Sequence, residues 1–397
     1  MSKARLAIVS THPIQYYAPV FRSLAASGAV DPRVFYTWSQ RLDGPAWDHG
    51  FREEVSWDIP LLGGYAHEAV PNVSRRPGSH RFFGIVNPTL LQVIDRWNPD
   101  ALLVYGWNSW SHLRVLRHFK GRVPVLFRGD STLLDEQPRL RAALRRTLLR
   151  WVYRHVDVAV AVGQNNRDYF EWCGLPPGRI GFAPHCIDNQ RFGDDSKYDI
   201  QAASWRNTLG IDAAQIVILF AGKLQPKKDP GILLEAFQHL AHDQAHLIFI
   251  GQGELEPALK DRAAGDPRIH FMGFQNQSLM PAAYRLGDLL VLPSRGPGET
   301  WGLALNEAMA CGRAIVASSK VGAARDLVRD GIAGWLFEAG NVRALTTVLD
   351  HAVKLGRDRL RVAGQLAREI IADWTIDRCA ARIEAAVTDA VKRSREA

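Results

Sequence analysis

Residues 289–312 read Leu-Leu-Val-Leu-Pro-Ser-Arg-Gly-Pro-Gly-Glu-Thr-Trp-Gly-Leu-Ala-Leu-Asn-Glu-Ala-Met-Ala-Cys-Gly. Four apolar residues, a loop punctuated by prolines and glycines, and a run of helical character that Gly312 would end describe a buried strand turning into a helix. Glu299 falls in the loop and Glu307 within the helix, with seven residues between them. An anion near Gly302 and Leu303 would meet the free backbone N–H groups of the helix's first turn, and the two carboxylates can accept hydrogen bonds from hydroxyl groups. The alternatives are an N-capping role for Glu299 and an exposed helix position for Glu307.

The same strand-then-helix grammar extends outward. Residues 216–221, 246–250, 269–272, 289–292 and 314–317 read as buried parallel strands separated by amphipathic stretches such as 231–241. In the first half, short apolar runs at 6–9, 33–36, 101–105, 123–127 and 156–162 alternate with longer helical stretches such as 14–26. The expected architecture is α/β: two doubly wound, Rossmann-like domains facing across a cleft. A length of 397 residues agrees with two domains of ordinary size. The polar stretch 193–199 places the boundary around 188–205, giving an N-terminal domain at 1–190 and a C-terminal domain at 191–375. A final helix at 376–397, with Ile383 and Val387 on one face, is expected to pack back towards the first domain.

Composition narrows the function classes. With 47% hydrophobic and 23% charged residues the chain is an ordinary globular protein. Its net charge of +8 favours an anionic partner of unspecified kind. Four widely spaced cysteines without a Cys-x-x-Cys pair suggest neither a disulfide framework nor a zinc knuckle, and fit a reducing, cytoplasmic compartment. No run nears the ~18 apolar residues of a membrane span, so any membrane contact is expected to be peripheral.

The second half carries a further loop. After residues 216–221 comes Gly222-Lys-Leu-Gln-Pro-Lys-Lys-Asp229, a glycine turn with three lysines that opens into a helix. Lysines beside the positive end of a helix dipole form a natural anion site, and solvated surface lysines are the alternative. Gly222-Lys-Leu-x-x-x-Lys228, Gly251-Gln-Gly253 after a strand, Pro293-Ser294, Glu299-x7-Glu307, residues 307–312 and Gly331-x-x-Gly334-Trp-Leu together resemble the retaining, nucleotide-sugar-dependent glycosyltransferases of family 4, whose fold is GT-B. Pro184-His-Cys-Ile-Asp188 is similar to the family's interdomain segment, usually Pro-Asn-Gly-Val-Asp.

The resemblance implies that Lys223 and Lys228 neutralise the donor's diphosphate, that Glu307 binds the ribose, and that Glu299 holds hydroxyls of the transferred sugar. It also implies that Trp301, Gly302 and Leu303 line the diphosphate and sugar, and that backbone groups of Gly273 and Phe274 hold the base. Two departures stand out. The family usually has Arg where this chain has Lys223, which keeps the charge but loses the bidentate fork. Gly322-Ala323 replaces a frequent glycine pair. Fixed cations plus a helix N-terminus stabilise the charge of a departing diphosphate. No Asp-x-Asp metal anchor is present, so the expectation is metal-independent retention, without a cofactor, by front-face attack in which a donor phosphate oxygen helps deprotonate the acceptor.

The first domain, which the fold assigns to the acceptor, is less explicit. Thr11-His-Pro-Ile-Gln-Tyr-Tyr17 stands where many relatives have a glycine-rich loop. His12 and Gln15 are expected to open the first helix and face the cleft, or only to start that helix with Pro at its first turn. In Phe127-Arg-Gly-Asp-Ser131, Asp130 is a candidate to orient or deprotonate the acceptor hydroxyl and Arg128 to meet phosphate, a mutual salt bridge being the alternative. Nine of twelve tryptophans precede residue 206. Of these, Trp107 and Trp110 are candidates for stacking on a sugar ring, with core packing as the alternative and His112 beside them read as structural. Residues 139–155 hold six arginines and no acid, with Leu140, Leu144, Leu148 and Trp151 at helical spacing. A core-facing apolar stripe is the preferred reading, and contact with anionic lipid at the inner face of the membrane is the other.

The function implied is transfer of a sugar from a nucleoside-diphosphate sugar to a glycan or lipid-linked hydroxyl acceptor in bacterial cell-surface polysaccharide or glycolipid assembly. A nucleotide-sugar epimerase on the same fold is the nearest alternative. A dinucleotide dehydrogenase is weaker because Gly251-Gln-Gly253 lacks a third glycine. Nucleic-acid binding is a different class without a visible module.

Overall fold

The computed structural model describes residues 3–42, 46–48, 50–135 and 139–396. The chain divides into two compact units, one made of Met1–Pro45, Pro60–His185 and Ile376–Ala397, the other of Ala46–Ile59 and Cys186–Thr375. Residues 46–59, kept with the first domain in the sequence reading, thus belong with the second unit.

The first unit is built on β1 (Ala4–Ser10), β2 (Val30–Tyr36), β5 (Ala66–Ala69), β6 (Ala101–Tyr105), β7 (Val125–Arg128), β8 (Val158–Ala161) and β9 (Ile180–Phe182). The strands form one sheet in the order β5-β2-β1-β6-β7-β8-β9, all paired in parallel. Their apolar runs are buried because helices cover both faces of a parallel sheet. The C-terminal helix Ile376–Glu396 belongs to this unit and buries Ile383 and Val387 completely.

The second unit holds β10 (Ile216–Ala221), β11 (Ala245–Ile250), β12 (Ile269–Met272), β13 (Leu289–Leu292), β14 (Ala314–Ser318) and β15 (Gly334–Phe337). They form a parallel sheet in the order β12-β11-β10-β13-β14-β15. A short antiparallel pair, β3 (Ala46–Asp48) with β4 (Glu53–Val55), accompanies it. Both sheets agree with the two doubly wound layers expected from the strand pattern.

Three local expectations need correction. The stretch 193–199 is not a loop throughout: Ser196–Thr208 is a helix whose N-cap, Asp195, accepts a hydrogen bond from the backbone N–H of Lys197. The first helix is Ala18–Ser27, with Pro19 in its first turn, so Pro13 does not start it and His12 and Gln15 precede it. In helix Arg139–Tyr153 the proposed core-facing stripe is only partly so: Leu144 is 68% and Leu148 50% exposed, while Trp151 packs half-buried against the core. Leu149, Val152 and Tyr153 are buried in its place, packed with Phe127, Tyr169 and Phe170. The side chains of Arg139 and Leu140 lie outside the described residues.

Candidate functional site

In an open parallel sheet, ligands gather beyond the carboxyl ends of the strands, and the second unit concentrates its charged loops there. Gly222, Gly251 and Gly253 allow the loops after β10 and β11 to interlock. A Cβ on Gly251 would lie 2.2 Å from the Gly222 carbonyl oxygen, and one on Gly253 2.4 Å from that of Leu224. The lysine loop therefore rests on the Gly251-Gln-Gly253 turn as one rigid piece.

Lys228 Nζ lies 2.6 Å from Glu299 Oε2, and Ser294 Oγ donates to the same oxygen at 2.9 Å. Glu299 is 6% exposed, so its charge is held in a largely water-free setting by an ammonium and a hydroxyl. The N-cap of helix Leu303–Ala310 is Gly302, without a side-chain hydrogen bond, so Glu299 does not cap it. Gly302 has φ +99°, and a Cβ there would come within 2.9 Å of both Leu292 and Val321. Only glycine fits this turn, and having no side chain it leaves the helix's first N–H groups without a cap among the described residues.

Glu307 is buried rather than exposed, and its Oε2 accepts a 2.6 Å hydrogen bond from the Tyr284 hydroxyl. Trp301 is buried too. Its Nε1 donates to Asn306 Oδ1 at 2.9 Å and its ring lies 5.2 Å from that of Trp374. Leu303 is half-buried and Gly273 exposed. Phe274 packs edge-on against Phe51 at 4.7 Å and faces Trp57 at 6.2 Å. Lys223, Lys228, Glu299, Trp301, Gly302, Leu303, Glu307, Gly273 and Phe274 all follow strands of this one sheet.

Sequence reading missed Asp48. Both its carboxylate oxygens receive Lys223 Nζ, at 2.7 and 2.9 Å, and the same ammonium sits 4.7 Å over the Phe51 ring. Burial would raise the Asp48 carboxyl, but Lys223, with the backbone N–H groups of Phe51 and Gly50, holds it below the usual carboxylate range. Residues 46–59 are anchored further by Asn276, whose Nδ2 donates to the Ser56 carbonyl at 2.6 Å. The pairing joins residues 175 apart, and no local pattern announces it. Tyr284, which holds Glu307, also went unread, and Ser294, quoted within a motif, was given no role towards Glu299.

The first unit arranges its candidates differently. Arg128 is buried, donating to the carbonyl oxygens of Ala183 and Pro184 at 3.0 Å each and contacting Cys379 Sγ at 3.5 Å. His185 is buried beside it, its ring stacked on Tyr17 at 6.3 Å, and burial together with the Arg128 charge lowers its pKa to about 3. Tyr17 is pushed well up by burial and by Asp130. These four residues form a cluster at the carboxyl side of the sheet that the sequence reading caught in part. The signal for His185 was available, since it replaces the usual Asn of the segment at 184–188.

His12 Nδ1 is 2.9 Å from Thr11 Oγ1, and its ring meets Trp38 edge-on at 5.4 Å. Gln15 is half-exposed. Trp107 packs against the core, while Trp110 lies under the Arg114 guanidinium at 4.3 Å. His112 is structural: its ring nitrogens meet Thr37 Oγ1 at 2.9 Å and the Gly106 carbonyl at 2.9 Å. Among the described residues, no helix is long and apolar enough to cross a membrane.

Comparison with known proteins adds the lineage. Residues 22–191 match the model of Glycosyltransferase Family 4, and residues 215–354 that of Glycosyl transferases group 1. A D-inositol 3-phosphate glycosyltransferase of Geodermatophilus obscurus is 32% identical over 249 residues, 58% of this chain and 53% of that protein. The chain thus spans about half the length of the curated relatives it matches. Among solved structures, Anabaena HepE in complex with UDP and glucose superposes with a TM-score of 0.71 at 17% identity, covering 97% of this chain and 100% of that one. WaaG, a glycosyltransferase involved in lipopolysaccharide biosynthesis, gives 0.68 at 16%, covering 96% and 99%. These likenesses establish the fold, and the two matched regions follow one another along it. The chain belongs to the family 4 glycosyltransferases, with a group 1 glycosyl transferase domain in its second half and the GT-B fold.

Proposed function

We propose that this protein is a retaining, metal-independent glycosyltransferase that moves a sugar from a nucleoside-diphosphate sugar to a hydroxyl acceptor. The observation that carries the reading is the convergence after β10 and β13 of Lys223, Lys228, Glu299 and an uncapped helix start at Gly302. The two ammonium groups and the helix N-terminus would meet the diphosphate, whose negative charge grows as the sugar departs. Glu299 would hold sugar hydroxyls and Glu307 the ribose, with Tyr284 and Ser294 fixing the carboxylates. An acceptor hydroxyl would then attack from the face the diphosphate leaves, with a phosphate oxygen taking its proton. Asp130, beside Tyr17 and Arg128, would orient the acceptor.

UDP-sugars are the first donors to try, because HepE is described with UDP and glucose. A phosphorylated polyol such as inositol 3-phosphate belongs in the acceptor panel, given the relatives named for it. The test is titration of UDP-, GDP-, ADP- and TDP-sugars, reading thermal shift and slow donor hydrolysis, with Glu299→Ala and Lys228→Ala alongside. Stabilisation by one donor, lost in both variants, supports the reading. Turnover abolished by chelator and restored by manganese would overturn its metal-independent part, and sugar isomerisation without acceptor would favour an epimerase.

A membrane-surface acceptor is the second part of the proposal. It rests on Leu144 and Leu148 standing exposed one turn apart among the exposed Arg141, Arg145 and Arg150, a pattern suited to anionic lipid. Such a surface suits a transferase of glycolipid or surface-polysaccharide assembly. Liposome sedimentation at phosphatidylglycerol surfaces, lost in Leu144→Glu/Leu148→Glu, is the check.

A further inference from the structure

At the opposite edge of the second unit's sheet, beside the amino ends of β13 and β14, lies a cavity of about 300 Å³. It is lined by five arginines, at 206, 285, 313, 357 and 361, against two aspartates, 199 and 288. Two further aspartates stand beside lining arginines, Asp194 4.0 Å from Arg285 and Asp358 3.9 Å from Arg361, so positive charge exceeds negative around this small space by less than the lining alone suggests.

The carboxylates present are already engaged. Asp288 receives Arg206 Nη1 at 3.3 Å, Arg357 Nε at 2.9 Å and the backbone N–H of Val217 at 2.9 Å. Asp199 lies 3.2 Å from Arg285, whose Nη2 also donates to the Gly193 carbonyl at 2.6 Å. Arg313 has only carbonyl oxygens, those of Cys311 at 2.9 Å and Gly287 at 3.3 Å, and no carboxylate within ion-pair distance among the described residues. Among the described residues Arg361 touches only Asp358, at 3.9 Å. Burial lowers the pKa of Arg313 against the opposing influence of Cys311, Asp288 and Asp199, and burial with Arg357 lowers that of Arg206 against Asp288. A partly buried guanidinium that no carboxylate touches gains when an anion is supplied.

We propose that this cavity is a second binding site, separate from the strand-end loops, for a small soluble anion carrying two or more phosphate groups. Planar guanidinium forks match phosphate oxygens bidentately. The volume lies at the small end of ligand pockets, which suits a compact polyphosphate rather than a whole nucleotide sugar. Asp288 and the backbone carbonyls orient the rim arginines, and Arg313, which no carboxylate touches among the described residues, supplies the unmatched charge with Arg361 beside it in the lining.

The test uses pyrophosphate in chloride buffer, titrated calorimetrically into the full chain carrying Lys223→Ala/Lys228→Ala, so that the strand-end lysines do not contribute. One saturable site is expected there. Adding Arg361→Glu, on a side chain 66% exposed, is expected to weaken it by about tenfold or more, and Arg313→Gln likewise. Absence of saturable binding to the double-lysine variant overturns the proposal. So does binding that Arg361→Glu leaves unchanged in protein of unaltered melting temperature, which also covers the case in which Arg313→Gln does not fold.

Discussion

Lys228 and Glu299 of the second unit neutralise each other at 2.6 Å, whereas Arg128 of the first unit directs its guanidinium at two backbone carbonyls. Both sites stand at the carboxyl ends of strands in parallel sheets of the same kind. An ion pair between side chains can be exchanged for a ligand's charges, because each partner finds a substitute in the incoming diphosphate or hydroxyls. Moving the Arg128 guanidinium would instead orphan the carbonyls of the buried Ala183 and Pro184. The Lys228–Glu299 pair of the second unit thus keeps its charges available, whereas Arg128 of the first holds the loop that follows β9.

The largest expected effect tests the exchangeable side of that contrast. Lys228→Ala and Glu299→Gln should each lower kcat/KM for the donor by about 10²–10³-fold, the scale of removing one group that stabilises transition-state charge, a loss that should persist well below the melting temperature even though breaking the buried pair also costs stability. Steady-state transfer assays beside thermal unfolding check this. An equal loss of activity in Arg128→Lys at unchanged stability would erase the distinction between the units.

Next comes Arg128→Ala, expected to cost about 2–4 kcal/mol of stability because two buried carbonyl oxygens lose their donor. Urea unfolding measures it. If unfolding is unmoved and the acceptor KM rises, Arg128 is a ligand contact and the first unit also keeps its charge available.

The contrast also explains what was legible. The second unit's loops are local: glycine and proline punctuation, lysine spacing and the two glutamates lie within short stretches, and steric demands such as that at Gly302 are written as glycines. Both parallel sheets were legible for a similar reason, since fully buried strands are continuous apolar runs. The Asp48–Lys223 pair was not legible, because the chain returns residues 46–59 to the second unit from the first half. Helix Arg139–Tyr153 carries two apolar stripes, and periodicity alone does not say which one meets the sheet. The aromatic cluster of Phe127, Tyr169 and Phe170 decides for Leu149, Val152 and Tyr153. Pro13 and Pro19 compete likewise to start the first helix, and only Pro19 sits in it.

His185 sharpens the comparison through pH. Its pKa is lowered from 6.5 to about 3 by burial and by Arg128, so the unfolded chain binds a proton that the folded chain refuses between those values. Stability from this group is complete above pH 6.5 and is lost as pH falls towards 3, by about 1.4 kcal/mol per pH unit, hence by about 2 kcal/mol at pH 5. Urea midpoints at pH 7, 6 and 5 should fall accordingly, and His185→Gln should flatten the trend. An equal slope in the variant would place the pH dependence elsewhere.

The smallest effect concerns Asp48, which occupies the ammonium that the donor's diphosphate is proposed to use. A diphosphate carries more charge than one carboxylate, so it should displace Asp48, but the exchange costs the free protein its Lys223 pair. Both side chains are only partly buried, at 32% and 19% exposure, which keeps the pair near the weak end of the range for ion pairs, about 1 kcal/mol. Asp48→Asn should therefore tighten donor binding by about three- to fivefold, seen as a lower Kd in calorimetry with kcat nearly unchanged. Weaker donor binding would show instead that Asp48 holds Lys223 in the position the diphosphate needs. It would then stand to Lys223 as Ser294 does to Glu299, a positioning partner supplied by a segment far away in the chain.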